Sequence, residues 1–196
     1  MIFRRSVLAV AVVLGAAACS TSTAGQAQPV PTSAAGPQIA VGTMRVTLPL
    51  GAEYTEHSQD GLLDGCISEG TVVCEARLLD LREATSDPNA PFNVPSAKRP
   101  FGWYTGTDVP LCITPAAPPG AGAEATGSTL LESGFAPVGP KKAEYGRWQV
   151  TCADSAQNSQ VRMWWLPTSK ILVVQYGAFP GWDAKMDNLL AGATFT

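Results

Sequence analysis

Four cysteines in an exported chain restrict this fold more than any other feature. The export reading comes from the first twenty residues. Arg4 and Arg5 precede an apolar run, 7–14, and then Gly15-Ala16-Ala17-Ala18-Cys19-Ser20. A basic start, a short apolar run and small residues at a cut site make an export signal. The run falls short of the roughly 20 residues that a spanning helix needs. Export leads to an oxidising compartment, where an even set of cysteines reads as disulfides. Cys66, Cys74, Cys112 and Cys152 then form two bridges, with three pairings open. We favour Cys66–Cys74 with Cys112–Cys152, because Ser68-Glu69-Gly70-Thr71 reads as a hairpin turn that brings the first two together. Chain-entropy estimates are about 2.5 kcal/mol for the short loop and about 4 kcal/mol for the long one. A metal site is the weaker reading: there is no C-x₂-C pair, and the single histidine, His57, has no ligand-like spacing to a cysteine.

Ala17-Ala18-Cys19 resembles the lipobox of bacterial lipoproteins. That resemblance implies that Cys19 becomes the mature N-terminus and carries the lipid, which anchors the protein on the extracytoplasmic side of the cell membrane. The family favours Leu three residues before the cysteine; here Ala16 stands there and Leu14 lies two residues further back. Ala16-Ala17-Ala18 also fits an ordinary secretory cut, which would leave a free protein starting at Cys19. Arg4-Arg5-Ser6-Val7-Leu8 looks loosely like a twin-arginine signal. The cysteines favour export before folding, since a reducing cytosol would keep them as thiols.

The expected organisation is a signal at 1–18, a flexible tether at 19–38 and one α+β domain at 39–196. Residues 20–36 are Ser, Thr, Ala, Gly, Gln and Pro with almost no large apolar side chain, so they bury too little to fold. Some 20 such residues reach about 25 Å. The remaining stretch of about 155 residues is one domain of ordinary size. Taking Arg4 and Arg5 from 13 basic and 16 acidic side chains leaves 11 and 16, a formal charge of −5. A mildly acidic chain has no electrostatic footprint for nucleic acid, and no polybasic segment holds it on anionic lipid, so the membrane is met through Cys19.

Period-two alternation in Met44-Arg45-Val46-Thr47-Leu48 predicts a half-buried strand. Residues 66–68 and 71–81 read as a hairpin. Residues 87–100, with Pro88, Pro91, Pro95 and Pro100, read as loop, and so does the Pro/Gly/Ala-rich 114–127. Strands at 143–152, 160–166 and 171–176 with short turns predict a meander. In 160–166, Val161, Met163 and Trp165 point one way and Trp164 and Leu166 the other, so both sheet faces need cover. Trp182, Met186, Leu189 and Leu190 share one face of a helix over 181–191, and 194–196 reads as a closing strand. The class is α+β, an antiparallel sheet with a C-terminal helix.

The opening strand ends Leu48-Pro49-Leu50-Gly51. Gly139-Pro140-Lys141-Lys142-Ala143-Glu144-Tyr145 comes later, then a strand pair with Trp164-Trp165 and Val173-Val174, and a helix leading to Ala193-Thr194-Phe195. This order over 43–195 resembles the PsbP-like fold, an α/β/α sandwich found in actinobacterial envelope lipoproteins. The resemblance implies a sandwich covered on both faces, binding or accessory roles, and no shared catalytic residues.

No G-x-S-x-G elbow, S-x-x-K, H-E-x-x-H or phosphate loop is present. His57, near Ser58, Asp60 and Asp64, reads as a surface loop residue. Glu53, Glu56, Asp60, Asp64 and Glu69 read as a solvated acidic face without calcium-loop spacing. Lys98-Arg99 and Lys141-Lys142 read as solvated loop charges. Phe101, Trp103 and Tyr104, set among glycines, are the candidate patch for a partner or ligand, against the plainer reading that they cover a sheet face. The expectation is a non-enzymatic, cofactor-free and metal-free envelope protein that binds a protein partner. A carrier or sensor of a small amphiphile is the alternative, and a hydrolase using His57 ranks third.

Overall fold

The computed structural model describes residues 36–59, 62–70, 74–82, 112, 114, 122–177 and 179–196, with backbone alone at 57–59 and 62–64. Among these described residues, ten strands and one α-helix make an α+β architecture. Seven strands form an antiparallel sheet in the order β3-β4-β5-β9-β8-β7-β6. They are β3 (Glu53–Gln59), β4 (Leu62–Ser68), β5 (Ala76–Asp80), β6 (Ala125–Val138), β7 (Lys141–Cys152), β8 (Ser159–Leu166) and β9 (Ile171–Tyr176). A smaller sheet of β1 (Gln38–Val41), β2 (Met44–Thr47) and β10 (Thr194–Phe195) joins the two ends of the described chain. The helix α1 (Trp182–Ala191) precedes β10.

Composition explains the centre of the sheet. β8 and β9 are built almost wholly from β-branched, aromatic and long apolar residues, and every residue from Val161 to Leu166 and from Ile171 to Tyr176 is buried. Burial on both faces of a strand removes the alternation seen where one face is wet. Trp164 and Trp165, on opposite faces, retain 2% and 8% of their exposure, which makes both of them core. The helix buries the four residues that its spacing predicts, Trp182, Met186, Leu189 and Leu190. Asp183 sits in its first turn, where the helix dipole favours an anion.

One face of the sheet carries Arg162, Trp164 and Leu166 and receives α1, because Arg162 bonds to two residues of that helix. The β6–β7 hairpin is fastened to the same helix. Its turn is Gly139-Pro140, and Gly139 has φ 51°, the left-handed value that a type II′ hairpin needs at its first central residue. The Gly139 N–H donates to the Leu190 carbonyl at 2.8 Å, which satisfies one of the carbonyls left open at the helix end. A Cβ on Gly139 would meet the Ala193 carbonyl carbon at 2.9 Å, so only glycine fits.

Cys66 pairs with Cys74 and Cys112 with Cys152, at Cα separations of 5.5 and 6.2 Å. β5 and β6 are separated in the sheet by β9, β8 and β7, so the chain between them must return from the middle of the sheet to its rim. Cys112 fixes that return to the end of β7.

Three expectations need correction. Residues 125–127 begin strand β6 rather than ending a loop, and the rest of β6 had no counterpart in the sequence reading. The acidic stretch around His57 is strand β3: the His57 backbone is paired opposite Asp64, not set in a loop. Lys141 and Lys142 open strand β7, where Lys141 Nζ donates to Ser169 Oγ at 2.6 Å and Lys142 Nζ lies 4.2 Å from the Phe135 ring centroid.

Candidate functional site: the groove beside the helix

α1 packs on the sheet face of Arg162 and Trp164, and its C-terminal end reaches the β6–β7 hairpin, where the Gly139 N–H meets the Leu190 carbonyl. Side chains of β6 and β7 beside it form an open groove of about 380 Å³. Its floor is Glu132 and Ala136 from β6, Tyr145 and Arg147 from β7, and Arg162 and Trp164 from β8. Asp187, Leu190 and Ala191 of the helix make one wall.

Register puts two cations together here, since Arg147 and Arg162 are direct cross-strand partners. Like charges so placed destabilise a sheet unless something separates them. Tyr145, two residues before Arg147 on the same face, does so: its hydroxyl oxygen accepts from Nε of Arg147 and from Nε of Arg162, each at 3.3 Å. Its ring is tilted against Trp164 with centroids 5.5 Å apart.

From that shared oxygen the two arginines diverge. The Arg162 side chain is 9% exposed and its donors are spoken for. Nη1 donates to Gln175 Oε1 at 3.1 Å and to the Asp183 carbonyl at 3.4 Å, and Nη2 donates to Asp187. The guanidinium also lies over the Trp164 ring, 4.6 Å from its centroid. Gln175, fully buried, donates in turn to Asp183 Oδ1 at 2.6 Å. Burial opposes the Arg162 charge, but Asp187 and Tyr145 more than offset it, and its pKa lies above the ordinary arginine value.

Arg147 is 34% exposed, and among the described residues it bonds through Nε alone. Its carboxylate neighbour, Glu132, stands 3.7 Å from that nitrogen and is 57% exposed. The bond to Tyr145 raises the Arg147 pKa, against the opposing effects of burial and of the Arg162 charge. Both arginines therefore stay charged at any working pH.

Around the corner of β6 is a second feature. Among the described residues β6 pairs on one side, with β7. Leu130, Leu131 and Phe135 are 51%, 50% and 65% exposed, and with Leu50 they are the exposed large hydrophobics among the described residues. Leu130 lies opposite Trp148 and Phe135 opposite Glu144, on the sheet face away from α1, and the register shift between Leu130 and Glu132 leaves Leu131 as the extra residue of a bulge.

Of the residues named from the sequence, Tyr145, Trp164 and Leu190 line this groove, each read there as part of the fold; none of the candidate site residues does. Cys19 and the aromatic candidates Phe101, Trp103 and Tyr104 lie outside the described residues, as do Lys98 and Arg99. The cysteines Cys66, Cys74, Cys112 and Cys152 are paired with one another. His57 is on β3 and the groove is built on β6 and β7, at opposite edges of the sheet. Glu69 leaves the acidic stretch and pairs with Lys185 of α1. Sequence reasoning missed Arg147 and met Tyr145 only as the end of the Gly139–Tyr145 motif, because nothing gives either a site role without β6 and the helix around them. The one available signal was an arginine, Arg162, inside an otherwise apolar strand.

No family model matches the chain, and no curated protein is significantly similar to it. The groove and the rim of β6 therefore stand on their own chemistry.

Proposed function

We propose that this chain is a lipid-anchored envelope protein of binding or accessory type. Cys19 carries its lipid on the extracytoplasmic face of the cell membrane, and the domain recognises a protein partner. The observation that carries this reading is the free edge of β6. Among the described residues this 14-residue strand has no partner on one side, and it holds three exposed large hydrophobics, with Glu132 as its single charge. Natural edge strands are blunted by charge, shortness or cover. An apolar edge of this length is a template for a partner's strand. Two disulfides suit an exported domain. The resemblance to PsbP-like sandwiches is supported by the antiparallel sheet, the C-terminal helix and the double-sided burial of β8 and β9.

A photo-crosslinking residue at position 135, in the full chain expressed in an actinobacterial envelope, tests the reading. A discrete protein adduct that weakens in a Leu130→Ser variant is expected. Adducts to lipid alone, or none above an exposed control at position 56, would overturn it. The anchor is tested on the same sample, where the N-terminal peptide should carry acyl chains on Cys19. An unmodified Cys19 would return the chain to the secreted reading.

A second reading, a carrier or sensor of a small amphiphile, has the groove in its favour. Its volume lies at the lower end of the range for small-molecule sites, and its lining combines apolar Ala136, Trp164, Leu190 and Ala191 with convergent polar groups. Hydrolysis by His57 draws no support from this groove, which is built at the other edge of the sheet.

A further inference from the structure

We infer that the groove between α1 and the β6–β7 hairpin takes a carboxylate on an apolar body, with Arg147 as the residue that reads the charge. The inference rests on the amphiphile reading and gives it a ligand class.

The argument begins with what Arg147 leaves open. An arginine offers five N–H donors in a planar fork that suits a carboxylate bidentately. Arg147 uses only Nε, on Tyr145, and among the described residues no acceptor meets Nη1 or Nη2. The bond to Tyr145 fixes the plane of the guanidinium, so two donors are already oriented when a ligand arrives. Such preorganisation lowers the entropy that binding must overcome. The neighbouring Arg162 shows the contrast, because both of its terminal nitrogens already donate, to Gln175, Asp183 and Asp187.

Glu132 identifies the missing group. It is the acid nearest to Arg147, yet at 3.7 Å it is beyond hydrogen-bond length, and it is more than half exposed. A pair of this kind contributes little to stability. Glu132 is a loose internal competitor that a ligand carboxylate displaces. The apolar requirement comes from the rest of the floor and wall, where Ala136, Trp164, Leu190 and Ala191 face the same space. Gly134, between Glu132 and Ala136 on β6, has no heavy atom within 4 Å of where a Cβ would stand, so the approach from the rim is clear.

Decanoate is the probe, titrated into the intact mature protein and followed by the NMR signals of arginine Nε–H and of Trp164. Decanol and decyltrimethylammonium are titrated in parallel, together with a short capped peptide of sequence Leu-Glu-Phe. The expected result is saturable decanoate binding that weakens about tenfold or more in Arg147→Gln, the loss of a charge-assisted pair. Binding should tighten about twofold to threefold in Glu132→Gln, where the competitor is gone. The opposite signs at two adjacent surface residues separate recognition from damage to the fold. Equal binding of decanol, with no dependence on Arg147, would keep the amphiphile reading and overturn the carboxylate. Binding of the peptide but not of decanoate would overturn the amphiphile and assign Arg147 to a protein partner. If none of the probes binds at millimolar concentration, both the inference and the reading beneath it fail.

Discussion

Arg162 and Arg147 stand side by side on one sheet face, one strand apart, and they live in different molecules as far as their energetics go. Arg162 lies under α1, shares Tyr145 with its neighbour, and has Gln175, Asp183 and Asp187 around its remaining donors. Arg147 is one strand nearer the rim, its side chain is 34% exposed, and among the described residues its two terminal nitrogens meet no acceptor. The same pair of environments separates whole strands. β9 is buried at every residue, while β6 is exposed from Thr129 to Phe135. Cover decides what a polar side chain does. Under the helix a charge must be satisfied by the protein, because an unpaired buried charge is costly. At the rim water satisfies it until something else does.

The largest test of the comparison concerns what closes the rim strands β6 and β7 into one loop. Replacing Cys112 and Cys152 together by serine opens a loop spanning 40 residues. The expected loss is about 4 kcal/mol by the chain-entropy estimate. Urea unfolding measures it as a lower midpoint. A loss no larger than that for Cys66→Ser with Cys74→Ser, about 2.5 kcal/mol for a separation of eight, would mean that closing the long loop that holds β6 and β7 adds nothing through its length.

Next in size is Arg162→Met. The substitution keeps an unbranched apolar stem but deprives fully buried Gln175 of a partner and leaves Asp183 and Asp187 without their cation. Both acids are more than half exposed and rehydrate, so the expected cost is about 2–3 kcal/mol rather than the larger penalty of a wholly buried pair. Unfolding of the variant with an unchanged m-value would attribute the loss to stability alone. A cost below about 0.5 kcal/mol would remove the distinction between the two arginines.

Gly139→Ala should come third, at about 1–3 kcal/mol, because it combines a positive φ with a close carbonyl. The hairpin turn also ties β6 and β7 to the end of α1 through Leu190. Hydrogen exchange should therefore speed up at α1 and along β6 together. Faster exchange in the hairpin alone would show that the two are not coupled there.

How much of this was legible in the chain follows the same division. The meander β7-β8-β9, the helix face Trp182, Met186, Leu189, Leu190 and the cysteine pairing were all readable, because burial writes a pattern of apolar spacing. β6 was not. Its residues, Ala-Thr-Gly-Ser-Thr-Leu-Leu-Glu-Ser-Gly-Phe-Ala-Pro-Val, carry two glycines and a proline, and with most of the strand exposed there is no alternation to see. Pro137 is tolerated because an edge strand has N–H groups that need no partner. β3 was hidden in a similar way by its acids and its single histidine. The groove could not be read at all, since it arises from register: Arg147 faces Arg162 only once β7 and β8 are paired.

The smallest expected effects are the most telling about the rim. Arg147→Met and Phe135→Ser should each change stability by less than about 0.5 kcal/mol, the ordinary range for a surface position without a structural task. Arg147→Met gives up one hydrogen bond to Tyr145 and a loose pair with Glu132, and it also removes a like charge opposite Arg162, so its terms nearly cancel. Phe135→Ser gives up a ring already 65% in water and its contact with Lys142. Thermal unfolding of the two variants beside Arg162→Met measures the comparison directly. A loss above about 1.5 kcal/mol for either would make that side chain a working part of the fold, and the rim would then owe its exposed arginine and phenylalanine to stability rather than to recognition.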